Sequence, residues 1–130
     1  MSLLPTDAAE RKKRPLWSGL MQYFPLALIE VAKLSYVGNQ QHNPGEPLHW
    51  AREKSADQED TLLRHLMEKG TVDTDGVRHI IKACWRCLAC AELELEAVIE
   101  SENPTAGVQD IAPCICDRAA KNPNCLIHGE

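Results

Sequence analysis

At 130 residues the chain has material for one compact domain and a tail, because two separate cores would leave each half too small to stand alone. Its composition, 44% hydrophobic and 25% charged, is ordinary for a globular protein and too apolar for wholesale disorder. The net charge is -5 and the basic residues are massed only over Glu10 to Arg14, which argues against nucleic acid as a partner. No apolar run reaches the ~18 residues of a membrane span, and the N-terminus has no apolar stretch followed by a small-residue cleavage site. The expectation is a soluble, cytoplasmic protein whose six cysteines stay reduced.

Residues 1-14 are polar and basic without a sustained period, which predicts a flexible arm ending at the Arg14-Pro15 break. Pro25 suits the first turn of a helix, and Leu26, Ile29, Lys33 and Val37 then recur at helical spacing, with the helix running through Ser35. Gly38 to Pro47 reads as a loop that delivers His49 and Trp50. Ser55 is the expected N-cap of a second helix, Ala56 to Lys69, stopped by Gly70. After a short turn, Val77, Ile80, Ile81, Cys84, Leu88, Ala91 and Leu95 form an apolar stripe on a third helix reaching about Glu100. No strand alternation is visible anywhere, so the predicted class is all-α: a small bundle of about three main helices over 15-102, followed by a Cys/His-bearing tail over 103-130.

Three polar faces carry the candidate chemistry. On the first helix Glu30 falls among Leu26, Ala27, Leu34 and Val37, where a buried carboxylate would need a partner or a cation. The second helix sets Asp57, Asp60, Thr61, Arg64, His65 and Glu68 on one side and Leu62, Leu63, Leu66 and Met67 on the other. Taken alone, that polar side is a solvated face with pairs such as Asp60 and Arg64. The third helix groups Arg78, His79, Lys82 and Arg86. Together they offer carboxylates and imidazoles for hard divalent ions, with Arg64, Lys82 and Arg86 to receive phosphate oxygens.

The run Pro25-Leu-Ala-Leu-Ile-Glu-Val-Ala-Lys33, then Gly38-Asn-Gln-Gln-His-Asn43 before Trp50, then Asp60-x-x-x-Arg64-His65-Leu66, then Asp73 and His79, resembles the phage and bacterial dATP/dGTP diphosphohydrolases. These are relatives of the all-α MazG-like nucleotide pyrophosphatases. The resemblance covers roughly Arg14 to Glu96. It implies cleavage of a purine dNTP between its α and β phosphates to dNMP and pyrophosphate with Mg²⁺ or Mn²⁺, adjusting a host nucleotide pool from the host cytoplasm if the chain is phage-encoded. By that resemblance Glu30, Asp57, Asp60, His65 and His79 are the expected metal ligands or their orienters, with Glu30, Asp60 and His65 catalytic. Arg64 and Lys13 would contact phosphate, and Trp50 would border the base with Asn39 and His42 nearby. Where relatives show His-x-x-His, this chain has His79 and Lys82. A protonated lysine cannot ligate a cation, so Lys82 is assigned to phosphate and the ligand set leans on the first two helices.

Cys84, Cys87 and Cys90 follow the helical stripe and read as small core hydrophobes. Cys114, Cys116, Cys125 and His128 lie within a short Pro/Asn-rich tail and form a candidate structural Zn²⁺ set. Two other readings stand beside the hydrolase: a non-enzymatic zinc-binding interaction module, and a His/Asp-type metal phosphohydrolase ligated by His65, Asp73 and His79. Three helices with apolar stripes exceed what one small domain can cover, which predicts a homodimer or homotetramer.

Overall fold

The computed structural model describes residues 3-54 and 56-102. The tail ligands Cys114, Cys116, Cys125 and His128, and the expected N-cap Ser55, lie outside the described residues. Four α-helices follow in order, α1 Ala8–Lys12, α2 Pro25–His42, α3 Gln58–Met67 and α4 His79–Glu102, with a π-helical turn at Trp17–Met21 and a 3₁₀ turn at Arg52–Lys54. The described residues contain no strand, only an isolated antiparallel bridge between Val72 and Arg78. The class is all-α.

Within the stretch expected to be a featureless arm, α1 forms because Asp7 caps it, its carboxylate accepting the Glu10 N–H at 3.0 Å. Pro25 opens α2 from its first turn, where no N–H is needed. The expected loop over Gly38 to Pro47 begins only at Asn43, since α2 continues through Gly38 to His42. Asn39 explains the extension: its Nδ2 donates to the Glu46 carbonyl at 2.8 Å. The side chain thus ties the last helical turn to the loop that doubles back on it. At the other end of α3, Gly70 and Gly76 take φ values of +96° and +85°, the left-handed region that glycine enters without a Cβ penalty.

α4 packs chiefly against α3 and more lightly against α2. The inward faces differ from those the periodicity suggests. On α3 the buried residues are Gln58 and Thr61, with His65 half-buried, while Leu63 and Met67 are exposed. On α4 the buried residues are His79, Ala83 and Ala89, whereas Leu88 and Leu95 of the expected core stripe are 50% and 58% exposed. Cys87 is also exposed, and Cys84 and Cys90 are half-buried free thiols. On α2, Val31 and Asn39 are buried, while Leu26, Ile29 and Glu30 face outward. Among the described residues the buried apolar side chains are Val31, Val77, Ala83 and Ala89. The chain has turned polar groups inward and left much of its apolar surface outside.

Trp85 bridges the helices that pack most lightly. Its Nε1 donates to Ser35 Oγ of α2 at 2.9 Å, and its ring meets Trp50 edge-on with centroids 5.5 Å apart, a favoured aromatic geometry. Arg52 covers Trp50, its guanidinium 4.2 Å from the ring, and pairs with Glu96 of α4 at 2.8 Å. Ser35→Ala strands the indole N–H at a half-buried position. Thermal unfolding should show a loss of ~1 kcal/mol, a fall of roughly 4–8 °C in Tm for a domain of this size; an unchanged Tm would show that the bond contributes nothing.

Candidate functional site

The turn joining α3 to α4 is closed by its own backbone. Asp73 N–H donates to the Val77 carbonyl at 2.9 Å, Gly76 N–H to the Asp73 carbonyl at 3.0 Å, and His79 N–H to the Thr71 carbonyl at 3.1 Å. This presents Asp73 and Asp75 over the first turn of α4, where Lys82 Nζ meets Asp73 Oδ2 and Asp75 Oδ2, each at 2.7 Å. Hydrogen bonding from Lys82, aided by the Thr74 N–H, holds the Asp73 carboxyl down at about 2. Burial pushes the Asp75 carboxyl up, but Lys82 and the Val77 N–H outweigh it and leave it lowered. Burial likewise disfavours the charged Lys82, and the two aspartates reverse that and raise it. Lys82 is therefore a cation held between two anions.

Beside this clamp, His65 Nδ1 of α3 and His79 Nδ1 of α4 lie 2.9 Å apart. His79 Nε2 is 3.3 Å from Glu68 Oε1 and 4.0 Å from Asp73 Oδ1. Burial first, and then the neighbouring His79, Lys82 and Arg86 charges, lower His65 against the opposing pull of Asp73. A neutral imidazole at neutral pH is the form that ligates metal. Among the described residues His65, Asp73 and His79 form the one group of three metal-ligating side chains, their donor atoms all within 4.8 Å of one another. Two imidazoles and a carboxylate suit Mn²⁺ or another borderline transition ion; Mg²⁺ prefers oxygen alone.

Adjacent to the cluster, a cavity of about 870 Å³ opens between α2, the 43-54 segment, α3 and α4. His65, Asp75, Lys82 and Arg86 line it, together with Asn39, His42, Trp50, Lys54, Gln58 and Trp85. Its wall thus combines metal-side groups, cations and aromatic rings.

The expected residues divide accordingly. His65 and His79 come together, and Asn39, His42, Trp50 and Lys82 share the cavity. Lys82 is engaged by carboxylates and does not stand open as expected for a phosphate-binding cation. Glu30, Asp57 and Asp60 are exposed and outside the three-donor group. Glu30 sits beyond the buried edge of α2, so the apolar surroundings expected for it are not those it has. Asp57 accepts from Thr61 Oγ1 at 3.3 Å, and Arg64 donates to that same hydroxyl at 3.0 Å from a largely exposed position. Lys13 pairs with Glu10 at 2.9 Å and does not line the cavity. Asp75, Gln58 and Trp85 were not singled out. Asp75-Gly76 was legible as a turn, and Gln58 falls seven residues before His65, hence on the same face of α3.

Lys82→Met leaves the two aspartates facing each other without their cation. In the parent their lowered values give stability that is fully present above the unfolded Asp range of about 4 and is lost as pH falls through about 2 for Asp73. In the variant Asp75 has lost that cation, and its burial, with the charge of Asp73 behind it, raises its carboxyl above the unfolded value, so protonation relieves strain. The variant's Tm in chelator should rise relative to the parent's as pH drops from 7 to 5; parallel profiles would show that the clamp is not formed.

No curated protein and no solved structure matches the chain. A protein-family model, that of the dATP/dGTP diphosphohydrolase N-terminal region, matches residues 5–103, which span all four helices, the closing turn, the His/Asp cluster and the cavity. By this match the chain belongs to the dATP/dGTP diphosphohydrolase family.

Proposed function

We propose that the chain hydrolyses a purine deoxynucleoside triphosphate, dGTP or dATP, to dNMP and pyrophosphate in a reaction that depends on Mn²⁺. The observation that carries this reading is the convergence of the His65, Asp73 and His79 donors with the cationic and aromatic wall of one cavity. Water would form the new bond to the α phosphorus while the bridging oxygen leaves with pyrophosphate. A bound divalent ion would supply an acidified water and neutralise phosphate charge. His65 and His79 would hold it through neutral ring nitrogens, and Asp73 through Oδ1, since Lys82 takes Oδ2. Lys82 keeps Asp73 ionised and fixed, in the way outer partners orient metal ligands. Lys54 and Arg86 on the cavity wall would receive phosphate oxygens, and Trp50 would border the nucleoside.

Incubating the full chain with each dNTP and Mn²⁺ tests the reaction. Pyrophosphate should appear from dGTP or dATP, and His79→Ala and Asp73→Asn should each lower kcat/KM at least ~100-fold, the scale of losing a metal ligand or its orienter. The same donor set also favours a His/Asp-type phosphohydrolase. That reading predicts inorganic phosphate, triphosphate or nucleoside, so those products, or silence with every dNTP, would overturn the proposal.

Self-association is part of it. Leu26, Ile29, Tyr36, Leu88 and Leu95 are each at least half exposed, large helix-borne apolar side chains that a second copy would cover. Only another copy could bring the outward Glu30, Asp57 or Asp60 to a bound ion as oxygen ligands. Light scattering at micromolar concentration should report a dimer or tetramer, and Ile29→Asp with Leu95→Asp should dissociate it; a parent that is monomeric throughout removes this element.

A further inference from the structure

Two primary amides at the cavity wall have no role in the chemistry above. Asn39 of α2 and Gln58 of α3 are 7% and 4% exposed, and both line the cavity. The orientation of each amide is fixed by a partner with a single role. Asn39 Nδ2 donates to the Glu46 carbonyl at 2.8 Å, which can only accept. Gln58 Oε1 accepts from Arg86 Nη1 at 2.9 Å, which can only donate. Neither amide can be turned over without losing that bond. What remains is an acceptor, Asn39 Oδ1, and a two-hydrogen donor, Gln58 Nε2, both buried and both without a hydrogen-bond partner. Buried polar atoms are nearly always paired, and an unpaired one is a standing cost in a native fold. Two on one cavity wall, of opposite polarity, describe the complement of a ligand.

We infer that Asn39 and Gln58 read the Watson–Crick edge of the substrate's purine. The inference rests on the nucleotide-hydrolase reading and names what determines its specificity. At N1 and the 6-substituent a purine carries a donor beside an acceptor: in adenine the amino group donates and N1 accepts, and in guanine N1–H donates and O6 accepts. Asn39 Oδ1 takes the base hydrogen and Gln58 Nε2 serves the base acceptor, in one order for adenine and the other for guanine. The half-buried Trp50 and Trp85 give the same cavity an aromatic wall, the surface against which a flat heterocycle packs. A base without a 6-substituent still offers N1 to Gln58 Nε2, so selection comes from the cost of leaving Asn39 Oδ1 unpaired, which is how hydrogen-bonding sites reject analogues.

Calorimetry on the full chain in chelator measures this without turnover, using dGMP, dAMP and 2′-deoxynebularine monophosphate, whose purine lacks the 6-substituent. The parent should bind dGMP and dAMP at least tenfold more tightly than the nebularine nucleotide. Gln58→Glu keeps the acceptor for Arg86 and removes a donor that all three bases use, so it should weaken all three nucleotides and leave their ratio in place. Asn39→Leu, checked for a retained helical spectrum, removes the acceptor that the nebularine base cannot satisfy, so its ratio should fall to within threefold. A parent without the tenfold preference, an Asn39→Leu chain that keeps it, or a Gln58→Glu chain that binds as tightly as the parent, overturns the inference. The two readings fail separately. Base-selective binding with no pyrophosphate release from dGTP or dATP would sink the hydrolase alone. Equal kcat/KM for dGTP and 2′-deoxynebularine triphosphate, with pyrophosphate released from both, would sink the base-reading role alone.

Discussion

The ammonium group of Lys82 fixes the carboxylates of the turn between α3 and α4 against the first turn of α4. It rises from the first turn of α4 and reaches back to the connecting turn, where it binds Asp73 and Asp75 at equal distances. A half-buried cation of this kind persists only where its charge is matched, and two carboxylates placed side by side persist only with a cation between them. Each partner makes the other tolerable. The backbone bonds that close residues 71-79 then set His79 at the start of α4, opposite His65 on α3. The imidazole pair, the Asp73 Oδ1 that also accepts the Thr74 N–H, and the cavity edge all take their positions from that one arrangement.

Around this clamp the helices distribute polarity in an unusual sense. Thr61, His65, His79 and Arg86 face inward, and the groups they meet there are mostly hydrogen-bonding ones. Polar interiors demand nearly complete satisfaction, because the low dielectric that strengthens a made bond also penalises a missing one. Among the described residues the buried side-chain atoms without a partner are Asn39 Oδ1 and Gln58 Nε2, both of residues that line the cavity. That pattern separates a site from a packing fault.

α2, α3 and α4 were legible in the sequence because their signals are local: Pro25 as a first-turn residue, the periodic runs, and the glycines that stop them; α1 falls in a stretch without a period. The all-α class followed from the same signals. The end of α2 was not legible, since Gly38 and Asn39 are loop-forming types and only the long-range bond from Asn39 to Glu46 keeps them helical. The facing of α4 was misjudged for a related reason. Periodicity identifies an apolar stripe but not which side of a helix meets its neighbours, and here the stripe holding Leu88 and Leu95 points outward. At the site, His65 and His79 were found by pattern and are joined by geometry. The apolar neighbours that point to Glu30 in the sequence, Leu26, Ala27, Leu34 and Val37, do not enclose it: Glu30 and Leu26 are exposed and the other three are half-buried. Gln58 shares the face of α3 that carries His65, but a glutamine becomes informative only when its burial and unpaired nitrogen are seen.

The smallness of the apolar core has a thermal consequence. Val31, Val77, Ala83 and Ala89 are short side chains, and the heat-capacity change of unfolding scales with the apolar surface that becomes hydrated. A monomer of the described helices, hiding little of it, has a broad, shallow curve of stability against temperature and a weak response to denaturant concentration, and covering Leu26, Ile29, Leu88 and Leu95 in an assembly would steepen both. Its resistance to heat is then governed less by the hydrophobic effect than by the enthalpy of the hydrogen-bonded seam between α3 and α4.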